Sequence, residues 1–243
     1  MNKRILFLIP SLILFGCATG PAFIPESYLA GMAAKQFSVL KEELPISTDP
    51  VKTAQVNRVS RRIADAIGPA MPDAEWEFVL FEEESANAFA MPGGKIAVFS
   101  GLLQHVDSDD ELAAVIGHEI AHVQLQHSNQ RMSAEVIRAA LGVATVIGTS
   151  DMEEGDRNAI LAAYGIGTQV GIMLPFSRSH ETEADRAGLM IAAAAGYDPR
   201  AAMSFWRKMG QANPRSMPEF LSTHPSSNTR IGDLERIMPE AME

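Results

Sequence analysis

The stretch VIGHEIAHVQLQH, residues 115–127, contains the side chains with the clearest potential for chemistry. On a helix, His118 and His122 would lie about 40° apart around the axis and about 6 Å apart along it, so both rings would project to one side. A tetrahedral zinc ion requires this arrangement of two nitrogen ligands. Glu119 would lie beside the metal, where it could accept a proton from the attacking water. The alternative is that both imidazoles are ordinary packed side chains, because this pattern alone is only moderately specific.

A third ligand would separate these interpretations, and the segment ETEAD, which begins at Glu181, offers one. Glu181 and Asp185 are four residues apart, so on a helix both carboxylates would face the same point. Glu181 could bind the zinc ion, and Asp185 could accept a hydrogen bond from the far nitrogen of a ligating histidine. Glu183 would lie about 200° from Glu181 and is better explained as a solvated charge.

The remaining histidines receive weaker assignments. His127 would lie about 140° around the motif helix from the second motif histidine, so we predict packing or capping and no direct contact with the metal. His105 is predicted to be a surface residue, and His180 is given no chemical role. His224 lies in the loop segment STHP. It has two open interpretations: a structural loop residue, or a latch that occupies the fourth position on the metal until substrate displaces it.

Several elements must position these residues. Apolar residues recur at helical spacing from Val51 to Ile67, and another helix is predicted near residues 27–43. Residues 76–83 alternate as a strand does, and NAFAMPGGKIAVFSGLL, residues 87–103, predicts a strand, a turn, a second strand and the start of a helix. The motif helix begins at DSDDELAA, where acids and capping residues precede the apolar run.

The C-terminal half is predicted to be helical. Two apolar stretches fall within residues 132–176, and the second is about membrane length but contains Gln169 and several glycines. A buried or membrane-apposed helix is therefore predicted there, not a membrane span. ETEADRAGLMIAAAAG predicts a helix with Gly196 as its C-cap. Two closing helices are predicted in DPRAAMSFWRKMG and SSNTRIGDLERIM.

The N-terminus, MNKRILFLIPSLILFGCATG, resembles the export signal of a bacterial lipoprotein. Two basic residues precede an uncharged apolar run that is too short for a comfortable membrane span. Cys17, the only cysteine, stands where such signals are cut and the thiol is lipidated. The alternative is a plain signal peptide with an incidental cysteine. We predict a signal peptide over residues 1–16, a lipidated tether and N-terminal segment over 17–48, and a single domain over 49–243.

Four segments, in the same order along the chain, resemble the zinc endopeptidases of peptidase family M48: NAFAMPGG, HEIAH, SRSHETEADRAG and THPSSNTRI. The resemblance implies an α+β fold, a mainly helical zincin domain (gluzincin-like) with a small β-sheet beside the active-site helix. It implies that His118, His122 and Glu181 are the zinc ligands. It also implies that Glu119 is the general base and that Asp185 is the supporting carboxylate. The family includes the CAAX prenyl protease, HtpX, and a periplasmic lipoprotein branch with BepA and LoiP. The absence of clear multiple membrane spans in the sequence favours the last branch.

The resemblance also implies a function, a zinc-dependent endopeptidase of the bacterial cell envelope that cleaves unfolded or misassembled proteins. Arg178 is the first candidate to stabilise the oxyanion, because a Ser-Arg pair precedes the ligand helix in the family. Substrate is predicted to add as an extended strand along Asn87, Ala88 and Phe89. One Zn²⁺ per chain and a lipid anchor at the periplasmic face of the outer membrane are expected.

Other functions are weighed against this one. The net charge of −10 argues against a nucleic acid partner, because phosphate binding needs a basic face. A chaperone or assembly scaffold that uses the same groove is the main alternative, and Glu119 favours the enzyme because a pure binder would not require it. A non-proteolytic zinc hydrolase is the third possibility.

Overall fold

The structure is a computed structural model that describes residues 20–168, 174–210 and 228–243, together with residues 220 and 224. Cys17 and the predicted signal peptide lie outside the described residues, as do residues 226–227 of the last predicted helix. The described part of the chain is mainly helical with one small sheet, which confirms the predicted α+β class.

The helices of the described residues fall close to the predicted positions. Their bounds, in chain order, are α1 Glu26–Glu43, α2 Pro50–Ile67, α3 Asp109–Gln124, α4 His127–Gly148, α5 Glu154–Thr168, α6 Leu174–Ala194, α7 Arg200–Gly210 and α8 Asn228–Ala241. Asp49 caps α2 by accepting hydrogen bonds from two backbone N–H groups, and Ser108 caps α3 in the same way. α6 ends just before Gly196, which has a φ of +76° and occupies the predicted C-cap region.

The sheet has three strands, β1 Glu77–Phe81, β2 Ala88–Met91 and β3 Lys95–Phe99. Their order is β1-β3-β2, with β1 parallel and β2 antiparallel to β3. The turn between β2 and β3 uses Gly93 and Gly94, whose φ angles of +82° and +87° are costly for any other residue. Because β3 lies between β1 and β2, β2 is an edge strand among the described residues.

The core lies on both faces of this sheet. On one face, β1 and β3 pack against α2 and α3, and the large fully buried side chains there include Ile63, Ile96, Leu112, Ile116 and Ile120. On the other face, Phe37 from α1 packs edge-on against Phe81. α1 thus covers the sheet, while α3 is held between the sheet and α6.

The motif helix is shorter than the sequence predicts. α3 ends at Gln124, Gln126 adopts a left-handed conformation with a φ of 56°, and α4 begins at His127. The side-chain amide of Gln130 donates to the carbonyl oxygen of Leu125 at 2.8 Å, which satisfies an acceptor at the helix end. The prediction that His127 continues the motif helix is wrong, because the chain turns before it.

α4 and α5 form a hairpin within the apolar stretch of residues 132–176. Val136, Val143 and Ile147 of α4, in the first apolar stretch, are 54%, 60% and 67% exposed. The prediction of a buried helix concerned the second stretch, and it is wrong for the part of that stretch in α5, where Ile160 is 38% exposed. None of the described helices has both the length and the apolar character needed to cross a membrane. The membrane-apposed alternative stays a prediction.

Candidate metal centre

The two helices that carry the predicted ligands approach each other at a pair of glycines. A Cβ atom added to Gly188 of α6 would lie 2.7 Å from the backbone N and Cα of His118. A Cβ atom added to Gly117 of α3 would lie 2.8 Å from the carbonyl oxygen of Gly188. Only residues without a side chain permit this separation, so the glycines let α6 bring Glu181 beside the imidazoles of α3.

The predicted ligand atoms converge. The Nε2 atoms of His118 and His122 are 3.1 Å apart. The carboxylate oxygens of Glu181 lie 3.4 Å from Nε2 of His118 and 3.5 Å from Nε2 of His122. Ligands about 2.05 Å from a tetrahedral zinc ion lie about 3.3 Å from one another. The donor set, its spacing and its burial therefore fit zinc, and the four residues that could hold a metal ion are His118, His122, Glu181 and His224.

His224 is the fourth member of this cluster. Its Nδ1 atom lies 3.2 Å from Nε2 of His118 and 3.1 Å from a carboxylate oxygen of Glu181. Its Nε2 atom lies 3.3 Å from the carboxylate of Glu119. The ring packs against Phe220, with 4.7 Å between ring centroids. The loop thus brings a third imidazole to the two of α3.

Asp185 occupies the position that the sequence predicts for a supporting carboxylate. It lies 3.1 Å from Nδ1 of His118, on the side of the ring away from the other ligands. Arg230 of α8 donates two hydrogen bonds to Asp185, at 2.7 and 2.6 Å, and also lies 3.2 Å from Glu181. Burial raises the pKa of Asp185, but the hydrogen bonds from Arg230 and His118 outweigh it and hold that pKa below its ordinary value.

Glu119 is buried next to the cluster, with only 4% of its surface exposed. Burial raises the pKa of its carboxyl group above the ordinary value, while the nearby imidazoles of His224 and His118 act in the opposite direction. The backbone N–H of Ala90 in β2 also bonds this carboxyl group. Its Oε1 atom makes no well-aligned hydrogen bond among the described residues, although Nε2 of His224 lies 3.3 Å from it. The site therefore contains a buried acceptor oxygen beside the metal ligands.

The sequence did not predict that His122 also contacts His127. Nδ1 of His127 lies 2.8 Å from Nδ1 of His122, and the ring of His127 stacks on His180 with centroids 4.0 Å apart. His180 is itself bonded to Gln130 at 2.9 Å, and Glu183 lies 3.5 Å from Nε2 of His127. His180, which was given no chemical role, is thus a packing partner of His127. The prediction of Glu183 as a solvated charge is wrong, because its carboxylate is only partly exposed and lies against His127. The missing signal was the turn at residues 125–126, which carries neither glycine nor proline.

The arginine that contacts the metal cluster is Arg230, whereas the sequence drew attention to Arg178. Arg178 is exposed on α6, whereas Arg230 is 6% exposed and contacts two of the site's carboxylates. Arg230 belongs to THPSSNTRI, a segment that drew attention only through its resemblance to the family. The oxyanion role of Arg178 stays a prediction. His105 is exposed, as expected.

The predicted substrate strand lies beside α3. Ala88 and Phe89 are in β2, and Asn87 immediately precedes it. The carbonyl of Asn87 accepts a hydrogen bond from Phe99 at 2.9 Å. Hydrogen-bonded pairs alternate in an antiparallel ladder, so the backbone N–H and C=O groups of Phe89 also point toward β3. The backbone groups of Ala88 and Ala90 point toward the opposite edge of β2.

Comparison with known proteins agrees with this geometry. A sequence model described as Peptidase family M48 matches residues 50–238. Mitochondrial metalloendopeptidase OMA1 of Schizosaccharomyces pombe is 38% identical over 191 residues, which cover 78% of this chain and 54% of the relative. The β-barrel assembly-enhancing protease of Yersinia pestis is 31% identical over 210 residues, covering 83% of this chain and 42% of the relative. The chain thus spans about half the length of these relatives or less. With its helix-borne histidine pair and the matching glutamate of α6, the chain belongs to peptidase family M48.

Proposed function

We propose that the chain is a zinc-dependent endopeptidase of the bacterial cell envelope that cleaves unfolded or misassembled proteins. The convergence of His118, His122 and Glu181 from two helices, with Glu119 buried beside them, carries this proposal. These three ligands would hold one zinc ion. When bound, zinc makes a water molecule more acidic and polarises the scissile carbonyl.

Glu119 would act as the general base and then as the general acid. Once the ring of His224 moves away from it, the Oε1 atom can accept a proton from the attacking water, and the same carboxyl group can return that proton to the leaving amine. Burial raises the pKa of this group, which makes proton transfer in both directions less costly than for a solvated carboxylate.

Substrate would bind in extended form along the free edge of β2. The outward backbone groups of Ala88 and the outward carbonyl of Ala90 offer strand hydrogen bonds. The N–H of Ala90 bonds Glu119, so a bound strand would pass directly over the general base. Recognition through the backbone selects for extended, unfolded segments more than for particular side chains. This agrees with a role in removing misfolded chains.

Arg230 and Asp185 would position the ligands. Asp185 lies behind His118 and holds the orientation of its ring, while Arg230 holds both Asp185 and Glu181 in place. Neither residue needs to touch the substrate. Their role is to keep the cluster from relaxing when a ligand atom is exchanged.

His224 would be a latch. Its ring occupies the space between Glu119 and the other ligands, so it competes with substrate and water for the same position. A client segment that displaces the ring would open the site, and proteolysis would then begin only in the presence of a client.

The envelope location rests on the leader and on Cys17, which we propose as the lipid anchor at the periplasmic face of the outer membrane. The name of the Yersinia pestis relative connects that protein with β-barrel assembly, and the names of several other relatives connect those proteins with mitochondria. The lipoprotein-type N-terminus of this chain favours the bacterial envelope.

Digestion of unfolded casein by the chain from Ala18 onward tests the enzymatic proposal. We expect cleavage that a chelator abolishes and added zinc restores. Glu119→Gln should lower the rate by at least about 10²-fold without loss of zinc, and Glu42→Gln, the same chemical change on exposed α1, should leave it unchanged. If Glu119→Gln cleaves casein at the normal rate, the proposed mechanism fails.

The same variant separates the enzyme from a scaffold. A strain that carries only Glu119→Gln should accumulate misassembled envelope proteins if turnover is required. Full biological activity of that strain, without any cleavage, would instead support the chaperone or assembly scaffold.

A further inference from the structure

α4 carries an apolar stripe that the rest of the described fold does not cover. The stripe follows helical spacing along one face and consists of Met132, Val136, Ala140, Val143 and Ile147. All five side chains are exposed, and the exposed fraction rises from 39% at Met132 to 67% at Ile147. Fifteen residues of helix span about 22 Å. An uncovered apolar surface of this length marks an interaction site.

The surroundings of the stripe exclude a mainly electrostatic partner. Residues 139–150 contain no charged side chain. Over the whole hairpin, residues 127–168, five acidic side chains outnumber three basic ones. Attraction to phosphate or to an anionic lipid would need the opposite balance. The driving force for binding must therefore be burial of the apolar side chains.

The N-terminal segment indicates which apolar partner is near. The backbone N–H groups of Gly20, Phe23 and Ile24 donate to Gln130, Ser133 and Asn129 of α4, each at 3.2 Å. The segment that leads to the proposed lipid anchor is therefore fastened to the first turns of α4. Two residues lie between Cys17 and Gly20, and the three Cα-to-Cα steps that join them reach at most about 11 Å. A lipid attached to Cys17 would hold the bilayer surface beside the stripe.

We propose that the apolar stripe of α4 lies on the surface of a lipid bilayer as a second membrane contact. The proposal rests on the lipid anchor proposed above for its place beside the bilayer. Helix α4 would lie in the plane of the interface with Val143 and Ile147 directed into the acyl region, while α5 covers its other side.

This contact would orient the active site. His127 begins α4 and lies 2.8 Å from the ligand His122, so the helix that rests on the bilayer starts at the metal centre. The catalytic groove would be held within a short distance of the membrane surface. Client segments that emerge from the bilayer, or that fail to enter it, would be the ones within reach.

Vesicle binding tests the proposal without the lipid anchor. The chain from Ala18 onward keeps every described residue and contains no cysteine. It should co-sediment with zwitterionic vesicles of phosphatidylcholine and phosphatidylethanolamine, and anionic lipid should not strengthen binding. Val143→Asp together with Ile147→Asp should weaken partitioning about tenfold or more. Val51→Asp, the same change at a valine 77% exposed on α2, should have no effect.

A single labelled cysteine gives a readout that does not depend on the acidic substitutions. Val143→Cys carrying an environment-sensitive fluorophore should show a blue shift on addition of vesicles, and Val51→Cys should not. Equal responses at the two positions would overturn the proposal. So would the absence of any co-sedimentation. A stripe that instead holds two copies together, shown by a dimer that the double substitution dissociates and by no vesicle binding, would also overturn it.

Failure of this contact and failure of the anchor are distinguishable. Incorporation of labelled palmitate into the full chain, abolished by Cys17→Ser, reports on the anchor alone. Casein cleavage by the chain from Ala18 onward reports on the proposed protease alone, and neither result depends on Val143 or Ile147.

Discussion

Substitution of Gly188 by alanine should separate the two halves of the metal site. The new Cβ atom would lie 2.7 Å from the backbone of His118, whereas carbon atoms in contact prefer about 3.5–4.0 Å. Because the atoms it meets are backbone, no side chain can rotate away, and α6 must move by about 1 Å. Glu181 lies two helical turns from Gly188 on the same helix and would move with it.

The expected magnitudes follow from this displacement. Metal–ligand distances tolerate deviations of about 0.2 Å, so a movement several times larger should weaken zinc binding at least about tenfold, which corresponds to about 1.4 kcal/mol. Overpacking lowers the free energy of unfolding by about 1–3 kcal/mol. The higher helix propensity of alanine raises it by about 1 kcal/mol. The net loss in the free energy of unfolding of the metal-free chain should therefore be up to about 2 kcal/mol.

Competition with a chromophoric chelator measures the zinc affinity, and urea denaturation of the chelated chain measures stability. Gly31→Ala is the matched control, because no atom lies within 4 Å of the Cβ that it adds to exposed α1. It should raise stability by up to about 1 kcal/mol and leave zinc affinity unchanged. If Gly188→Ala behaves as Gly31→Ala does in both assays, the close approach of α3 and α6 does not set the ligand geometry.

Other substitutions test single contacts of the site. Arg230→Gln should weaken zinc binding about 10- to 100-fold in the chelator assay, because Asp185 and Glu181 lose the contacts that hold their orientation. Arg207→Gln should have no effect at its exposed surface pair. His224→Ala should raise the initial rate of casein cleavage; the latch is excluded if neither cleavage nor zinc affinity changes. His127→Leu should weaken zinc binding about 10- to 100-fold, because His122 loses the partner of its Nδ1 atom; an unaltered affinity would show that this contact does not orient the ring of His122.

Local geometry explains which parts of the site could be predicted from the sequence. The pairs His118–His122 and Glu181–Asp185 are each one helical turn apart, and helical geometry determines their directions without reference to the rest of the fold. Helical geometry could not predict that the two pairs meet at one point. That prediction came from the resemblance of several segments to a family. Cys17 lies outside the described residues, and its role stays a prediction.

The failures have a common physical origin in contacts between distant residues. The end of α3 depends on the side chain of Gln130, which bonds the carbonyl of Leu125 and lets the chain turn where helical periodicity continues. The exposure of α4 likewise depends on what the other described residues leave uncovered, while its apolar composition alone favours burial. Arg230 reaches the site only because α8 packs against α6.

The charge balance of the buried site connects the fold to its metal. Glu119, Glu181 and Asp185 are each at most 8% exposed, and Arg230 is the cation that the structure places against two of them. Three carboxylates and one guanidinium leave two negative charges to be compensated in a low-dielectric environment, where an unpaired charge is costly. Although burial lowers the pKa of His118, hydrogen bonds with Asp185 and Glu181 raise it to about 9 in the metal-free chain, which shows how strongly these carboxylates attract positive charge. A divalent cation supplies both charges at the point where the imidazoles and Glu181 meet, and it therefore satisfies the electrostatics of the site as well as its coordination.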